Sequence, residues 1–290
     1  MVISLVQYHR MMQKAQAASY RMHNTSKRMQ ILAEVTMIFF SLGFVVGATH
    51  VILVDVEPIF MFVGFVFFAG SIFVASLIRS QIALVDSLNE KAEEVMKAFV
   101  SSIEMKDRYT QGHSHHVYQI VEVFFDHLPE GMQEQLNRSK LLDAALLHDI
   151  GKIGISDKVL NKIEPLTDDE WAAIRMHPVI GQSMLKNTYF NEISDWILFH
   201  HERMDGKGYL QLTPAEIPLE SRIIAVADTY SAITTKRIYR QSRTHDEAVA
   251  IMEESAGTQL DDALVRAFMQ IPPDKLKRLY VQDFPENISQ

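Results

Sequence analysis

Cysteine is absent from the 290-residue chain. That excludes disulfides, thiolate metal sites and a cysteine nucleophile, so any metal must be held by imidazole and carboxylate, and 12 histidines are available to do so. A basic excess is lacking too. The formal net charge of -8 argues against a nucleic-acid polymer as partner, because such binding rests on Lys and Arg neutralising phosphates. A small anionic substrate stays open, since a bound cation inverts the local field. Internal repeats, low-complexity tracts and alternating strand patterns are missing as well.

What is present is unevenly spread. Residues 1–30 carry Arg10, Lys14, Arg21, Lys27 and Arg28 with no acidic residue, and read as a cytoplasmic basic segment, either a simple tail or a helix lying at the membrane surface or continuing into the first span. Within residues 31–78 the runs 35–54 and 58–78 hold no Asp, Glu, Lys or Arg. Each is about 20 residues long, enough to cross a bilayer core as a helix. They are joined by the short turn Asp55-Val56-Glu57, too small to fold as a sensor outside the membrane. This predicts a two-helix transmembrane hairpin. Basic residues before the first run and Arg79 after the second place both ends in the cytoplasm, so the expected location is the inner (cytoplasmic) membrane, multi-pass, with the rest of the chain on the cytoplasmic side.

Residues 79–107 are expected to form a charged linker helix. Its apolar positions Ile82, Val85, Leu88, Ala92, Val95, Phe99 and Ile103 recur at three and four, as in a coiled-coil seam. The alternatives are a helix packed on its own domain and a parallel homodimer; the dimer is the reading carried forward. Residues 108–272 read as successive helices, so the fold class is all-α. Val117, Ile120, Val121 and Phe124 share one helix face with His113, and Leu142, Ala145 and Leu146 lead to His148 and Asp149. Thr167 with Glu170 forms a capping box opening a helix that ends near His177. Asn191 caps another, whose inner face is extended by His200 and His201. Residues 273–290 read as a loosely packed tail.

A histidine on an apolar helix face is usually a satisfied core side chain. Here the feature recurs: His113, His148-Asp149, His177, His200-His201 and Asp228 fall at the ends or inner faces of different predicted helices. Burying that many imidazoles with two carboxylates is costly unless something pairs them, and metal ions do so. Ala225, Ser231 and Ala232 flank Asp228 on its helix and leave room around the carboxylate.

The string HDIGK at 148–152 and HHERMDGKGYL at 200–210 resemble the HD-GYP phosphohydrolases. DRYTQGHS, RMHPVIGQSML, IPLESRIIAVAD and GTQLDDALVRAF extend the resemblance over the whole cytoplasmic domain. It implies that His113, His148, Asp149 and Asp228 ligate one divalent metal and that Asp149 bridges to a second, held by His177, His200 and His201. Tyr109 stands where some members have a third-metal Glu, so two metals are expected, with iron or manganese favoured. Two such cations can ionise a water between them and neutralise phosphoryl oxygens during in-line attack. The resemblance further implies that Lys152 reaches the scissile phosphate and that Arg237 and Arg240 contact the substrate. The expected activity is hydrolysis of cyclic di-GMP to pGpG and, on continued cleavage, GMP. Glu202 and Asp205 are expected to orient the histidines, and Gly206 and Gly208 to supply positive φ.

Three positions depart from the family pattern. Leu210 replaces the Pro of GYP, Ser231 stands in place of an acid, and Ile238 replaces a Pro. Loss of the Pro at 210 should loosen its loop. The substitutions keep two other readings open: a cyclic-dinucleotide sensor with little turnover, and a hydrolase of another cyclic dinucleotide.

Overall fold

The computed structural model describes residues 58–107, 112–235 and 242–279, with isolated positions between Val35 and Thr49. The predicted first span therefore falls largely outside the described residues, as do Tyr109, Arg237, Ile238 and Arg240. Two compact units are distinguished, Met1–Glu94 and Val95–Gln290.

The first helix, α1, runs without a break from Pro58 to Glu104. Its apolar part has a mean hydropathy of 2.0, and among the described residues it is the one helix long and apolar enough to cross a membrane. In the second unit its last turns meet the core through Val100 and Ile103, both buried, whereas Val95 and Phe99 are exposed; in the first unit Leu88 is exposed.

The second unit is all-α, with no strand among its described residues. α2 (His113–Phe125) buries His113, Val117, Ile120, Val121 and Phe124 along one stripe, as its spacing predicts. α3 (Arg138–Leu147) starts where the Asn137 side chain accepts from the Lys140 N–H. It ends at His148, and Asp149 leads into a 3-10 turn over Ile150–Gly154. Gly151 lets this turn lie against α5 (His177–Leu185): a Cβ there would sit 1.9 Å from the His177 carbonyl oxygen. Between them, α4 (Asp168–Ile174) begins with the predicted Thr167/Glu170 capping box and stops three residues before His177, so His177 opens the next helix.

α6 (Ser194–Leu198) follows a 3-10 turn over Asn191–Ile193. The expected cap Asn191 instead accepts from the Asn187 N–H, so the helix opens later than predicted. α7 (Leu219–Thr234) is the central helix and supplies Asp228 and Ser231. α8 (His245–Ser255) and α9 (Asp262–Phe268) close the core, where the Phe268 ring meets those of Phe124 and Tyr230, each at 5.1 Å. The region expected to be a loose tail begins with α10 (Pro273–Lys277), whose Leu276 is buried, so packed structure reaches past residue 272. An apolar side chain four residues into a Pro-started turn is sufficient cause.

Candidate metal centre

His148, His177 and His200 share one local device. Each Nδ1 lies 2.6–2.8 Å from the carbonyl oxygen three residues upstream, of Ala145, Ile174 and Ile197 respectively. A carbonyl only accepts, so each Nδ1 carries the hydrogen and each Nε2 is left with a lone pair. All three Nε2 atoms are buried and have no hydrogen-bond partner among the described residues. Two of them face Asp149: His177 Nε2 is 3.2 Å from Oδ1 and His148 Nε2 is 3.4 Å from Oδ2. Lone pairs opposed to a carboxylate at that distance repel unless a cation stands among them or an imidazole is protonated. This donor set fits divalent metal ions.

The ligand atoms fall into two adjoining groups, each within 4.8 Å: Asp149 with His177, His200 and His201, and His113 with His148 and Asp228. The rings of His148 and His200 are 5.2 Å apart, and those of His200 and His201 are 3.9 Å apart. His113 presents Nε2 to Asp228 Oδ1 at 2.9 Å, and its Nδ1 is 2.9 Å from Ser231 Oγ. All seven residues singled out from the sequence as ligands therefore converge.

Electrostatics follow from burial among these charges. Burial, joined by the neighbouring imidazoles, pushes His200 down and His201 down to about 3, leaving both neutral, as metal ligation requires. Burial opposes charge on His148 as well, but Asp149 and Asp228 outweigh it and raise the imidazole to about 9. The Asp149 carboxyl stays well below its usual range because Lys152 and His148 overcome its burial. Lys152 is a fixed cation: despite burial, Asp149 at 2.7 Å and Asp107 at 3.2 Å push it up to about 12.

Several expectations need correcting. Glu202 does not orient a histidine; its carboxylate accepts from the Leu210 N–H at 2.6 Å and the Leu212 N–H at 2.8 Å. Leu210 thereby supplies a donor that proline lacks, and the loop is tied rather than loosened. Asp205 pairs with Arg203 instead of a histidine. Gly206 has φ +71°, as expected, but Gly208 is required by close approach, since a Cβ there would lie 2.6 Å from Glu202 Cα.

Glu104, Asp107, His116 and Tyr209 were not foreseen at the site. Glu104 lies one turn after Val100 on the buried face of α1, a signal that was available in the sequence. His116 shares Ser231 Oγ with His113, at 2.9 Å.

A profile for the HD domain matches residues 98–264. The chain belongs to the HD-domain family. The HD-GYP resemblance stands with it: 35% identity over 193 residues joins this chain to 3'3'-cGAMP-specific phosphodiesterase 3 of Vibrio cholerae, covering 64% of this chain and 41% of that protein. A cyclic di-GMP phosphodiesterase of the same organism is 39% identical over 140 residues, 45% of this chain and 28% of its own length. The Xanthomonas campestris cyclic di-GMP phosphodiesterase response regulator RpfG is 35% identical over 204 residues, 68% and 53%. The chain thus spans about half or less of these relatives. A crystal structure of a V. cholerae cyclic GMP-AMP specific phosphodiesterase matches with TM-score 0.50 and 20% identity, over 66% of this HD-domain chain and 51% of that one, which shows the all-α fold.

Proposed function

We propose that this chain is a metal-dependent phosphodiesterase that opens cyclic di-GMP to pGpG, with GMP the product wherever cleavage continues. The observation that carries this reading is the set of three buried imidazole lone pairs converging with Asp149. His113, His148, Asp149 and Asp228 would hold one divalent ion, and Asp149, His177, His200 and His201 the other, with iron or manganese as candidates. When bound, such ions acidify a water and neutralise phosphoryl oxygens.

The chain's own residues do the rest. The backbone carbonyls of Ala145, Ile174 and Ile197 fix three ring orientations. Asp149 and Asp228 leave two divalent cations under-neutralised, and Lys152, charged at neutral pH, adds to the positive field that receives the phosphodiester. Held between Asp149 and Asp107, Lys152 is placed to pull on the scissile phosphate's oxygens. Arg237 and Arg240 remain proposed substrate contacts.

The relatives' names divide between cyclic di-GMP and 3'3'-cGAMP, which makes a mixed cyclic dinucleotide the second reading. A sensor without turnover rests on Ser231 and Leu210, yet both are hydrogen-bonded into the site. We further propose an inner-membrane, multi-pass chain with a cytoplasmic catalytic domain, supported by the apolar part of α1. The exposed row Leu88, Val95 and Phe99 supports a parallel homodimer through this helix.

The test compares the full chain with His148→Ala and Asp149→Ala, measuring metal content and following cyclic di-GMP by chromatography. Two metals per chain and pGpG formation, lost in both variants, are expected. Binding without product would leave the sensor reading, and neither binding nor cleavage would overturn the substrate assignment.

A further inference from the structure

The metal centre accounts for a phosphate but not for a base, and the surface beside it carries groups that the chemistry above leaves unused. Tyr209 lies over His201, with ring centres 4.7 Å apart and planes 37° apart, and stands perpendicular to His177 at 6.4 Å. On it rests Arg175, whose guanidinium is 5.6 Å from the Tyr209 ring centre. Arg175 has no carboxylate partner among the described residues; stacking on the tyrosine holds it in place. One turn back along the same helix face is Trp171, 46% exposed. Arg175, Trp171, Ala172 and Asp168 line a cavity of about 360 Å³.

We propose that this face of α4 is a subsite for a guanine base of the bound dinucleotide, with Trp171 stacking on the base and Arg175 donating two hydrogen bonds to its O6 and N7. The inference rests on the phosphodiesterase reading and names a specificity determinant within it. An exposed indole next to a guanidinium with no carboxylate partner among the described residues suits a purine. A bare phosphate would use the arginine and leave the indole idle, whereas a base uses both. Arg175 presents a planar fork that matches the two acceptors on guanine; adenine offers one acceptor and one donor at the same edge. The ladder Arg175, Tyr209, His201 joins subsite to metal centre, so the base and the phosphate of one nucleotide can be held together.

The experiment uses the full chain in detergent. With metal removed by chelator, so that nothing is turned over, tryptophan fluorescence is titrated with cyclic di-GMP and with cyclic di-AMP. Cyclic di-GMP should quench the emission, and the quench should disappear in Trp171→Phe, which keeps Trp196. Arg175→Ala should weaken cyclic di-GMP on the order of tenfold, the value of one charge-assisted contact, to the level of cyclic di-AMP. Arg175→Lys should recover only part, because the charge returns without the fork. In the metal-loaded enzyme the Arg175→Ala loss in kcat/KM should fall on KM, and should exceed its loss on methyl p-nitrophenyl phosphate, which has no base. Equal weakening of both dinucleotides, a quench that survives in Trp171→Phe, or equal losses on the two substrates would overturn the subsite. A wild type that quenches selectively yet forms no pGpG would overturn the phosphodiesterase reading and leave the subsite standing. A wild type that cleaves cyclic di-GMP with a KM untouched by Arg175→Ala would do the reverse.

Discussion

Ser231 has a single proton to serve two imidazoles, since the Nδ1 atoms of His113 and His116 both lie 2.9 Å from its hydroxyl oxygen. If His113 gives its Nε2 lone pair to a metal beside Asp228, its Nδ1 carries hydrogen and donates to Ser231. The hydroxyl must then donate to His116, which burial and the proximity of His113 push down to about 4, leaving it a neutral acceptor. Ser231 thus selects the ligating tautomer of His113 through one directional relay. Ser231→Ala removes the acceptor and should weaken metal binding roughly tenfold to a hundredfold, the usual effect of losing a ligand's outer partner. Ser231→Asp should bind at least as tightly as wild type. Titrating metal against a competing chelator measures both, and unaltered affinity in the alanine variant would remove the relay from the account.

At the scale of elements, the end of α1 and the residues just after it are bonded to the segments that carry His113 and the His148-Asp149 pair. Glu104, only 4% exposed, accepts from the Gly112 N–H at 2.9 Å and the Ser114 N–H at 2.6 Å, capping the helix that carries His113. Lys106 donates to the carbonyls of Ile153 and Ile155, just beyond the His148-Asp149 pair, and Asp107 holds Lys152. Glu104→Ala leaves two first-turn amides without their charged acceptor. It should cost about 2 kcal/mol and lower Tm by roughly 4–8 °C for a domain of this size; calorimetry showing no change would exclude the cap. This junction was poorly legible in the sequence, because periodicity finds apolar faces and says nothing of which amides a buried carboxylate will meet. The capping box at Thr167 was legible, since its pattern is local. The start of α6 was missed because Asn191 had two places to spend its side-chain oxygen and took the Asn187 amide. The ligand set was legible for a different reason: each ligand histidine opens a helix, closes one or follows one within three residues, and the apolar stripe of that helix turns it inward.

At the scale of the whole molecule, the domain concentrates six imidazoles about two carboxylates, and its stability must follow their protons. His116, His177, His200 and His201 are all pushed down from 6.5, chiefly by burial, so the unfolded chain binds more protons than the folded one below that pH. Their contribution to stability is full above pH 6.5 and is lost as pH falls towards 3. Asp149 and Asp228, both held below the usual carboxylate range against their burial, act in the same sense below about pH 4. Among these imidazoles His148 opposes them: raised to about 9, it stabilises the metal-free fold below 6.5 and loses that contribution as pH rises through 9. Metal replaces the proton on His148, while burial already keeps His200 and His201 neutral, so proton and metal compete at the His148 Nε2. At a concentration 100-fold above Kd a single bound ion stabilises by about 2.7 kcal/mol. The difference in Tm between manganese-loaded and chelator-treated protein should therefore be largest near pH 7.5 and shrink steadily at pH 6.5 and 5.5. A Tm gain that is the same at all three values would mean that the bound ion does not displace the proton of His148.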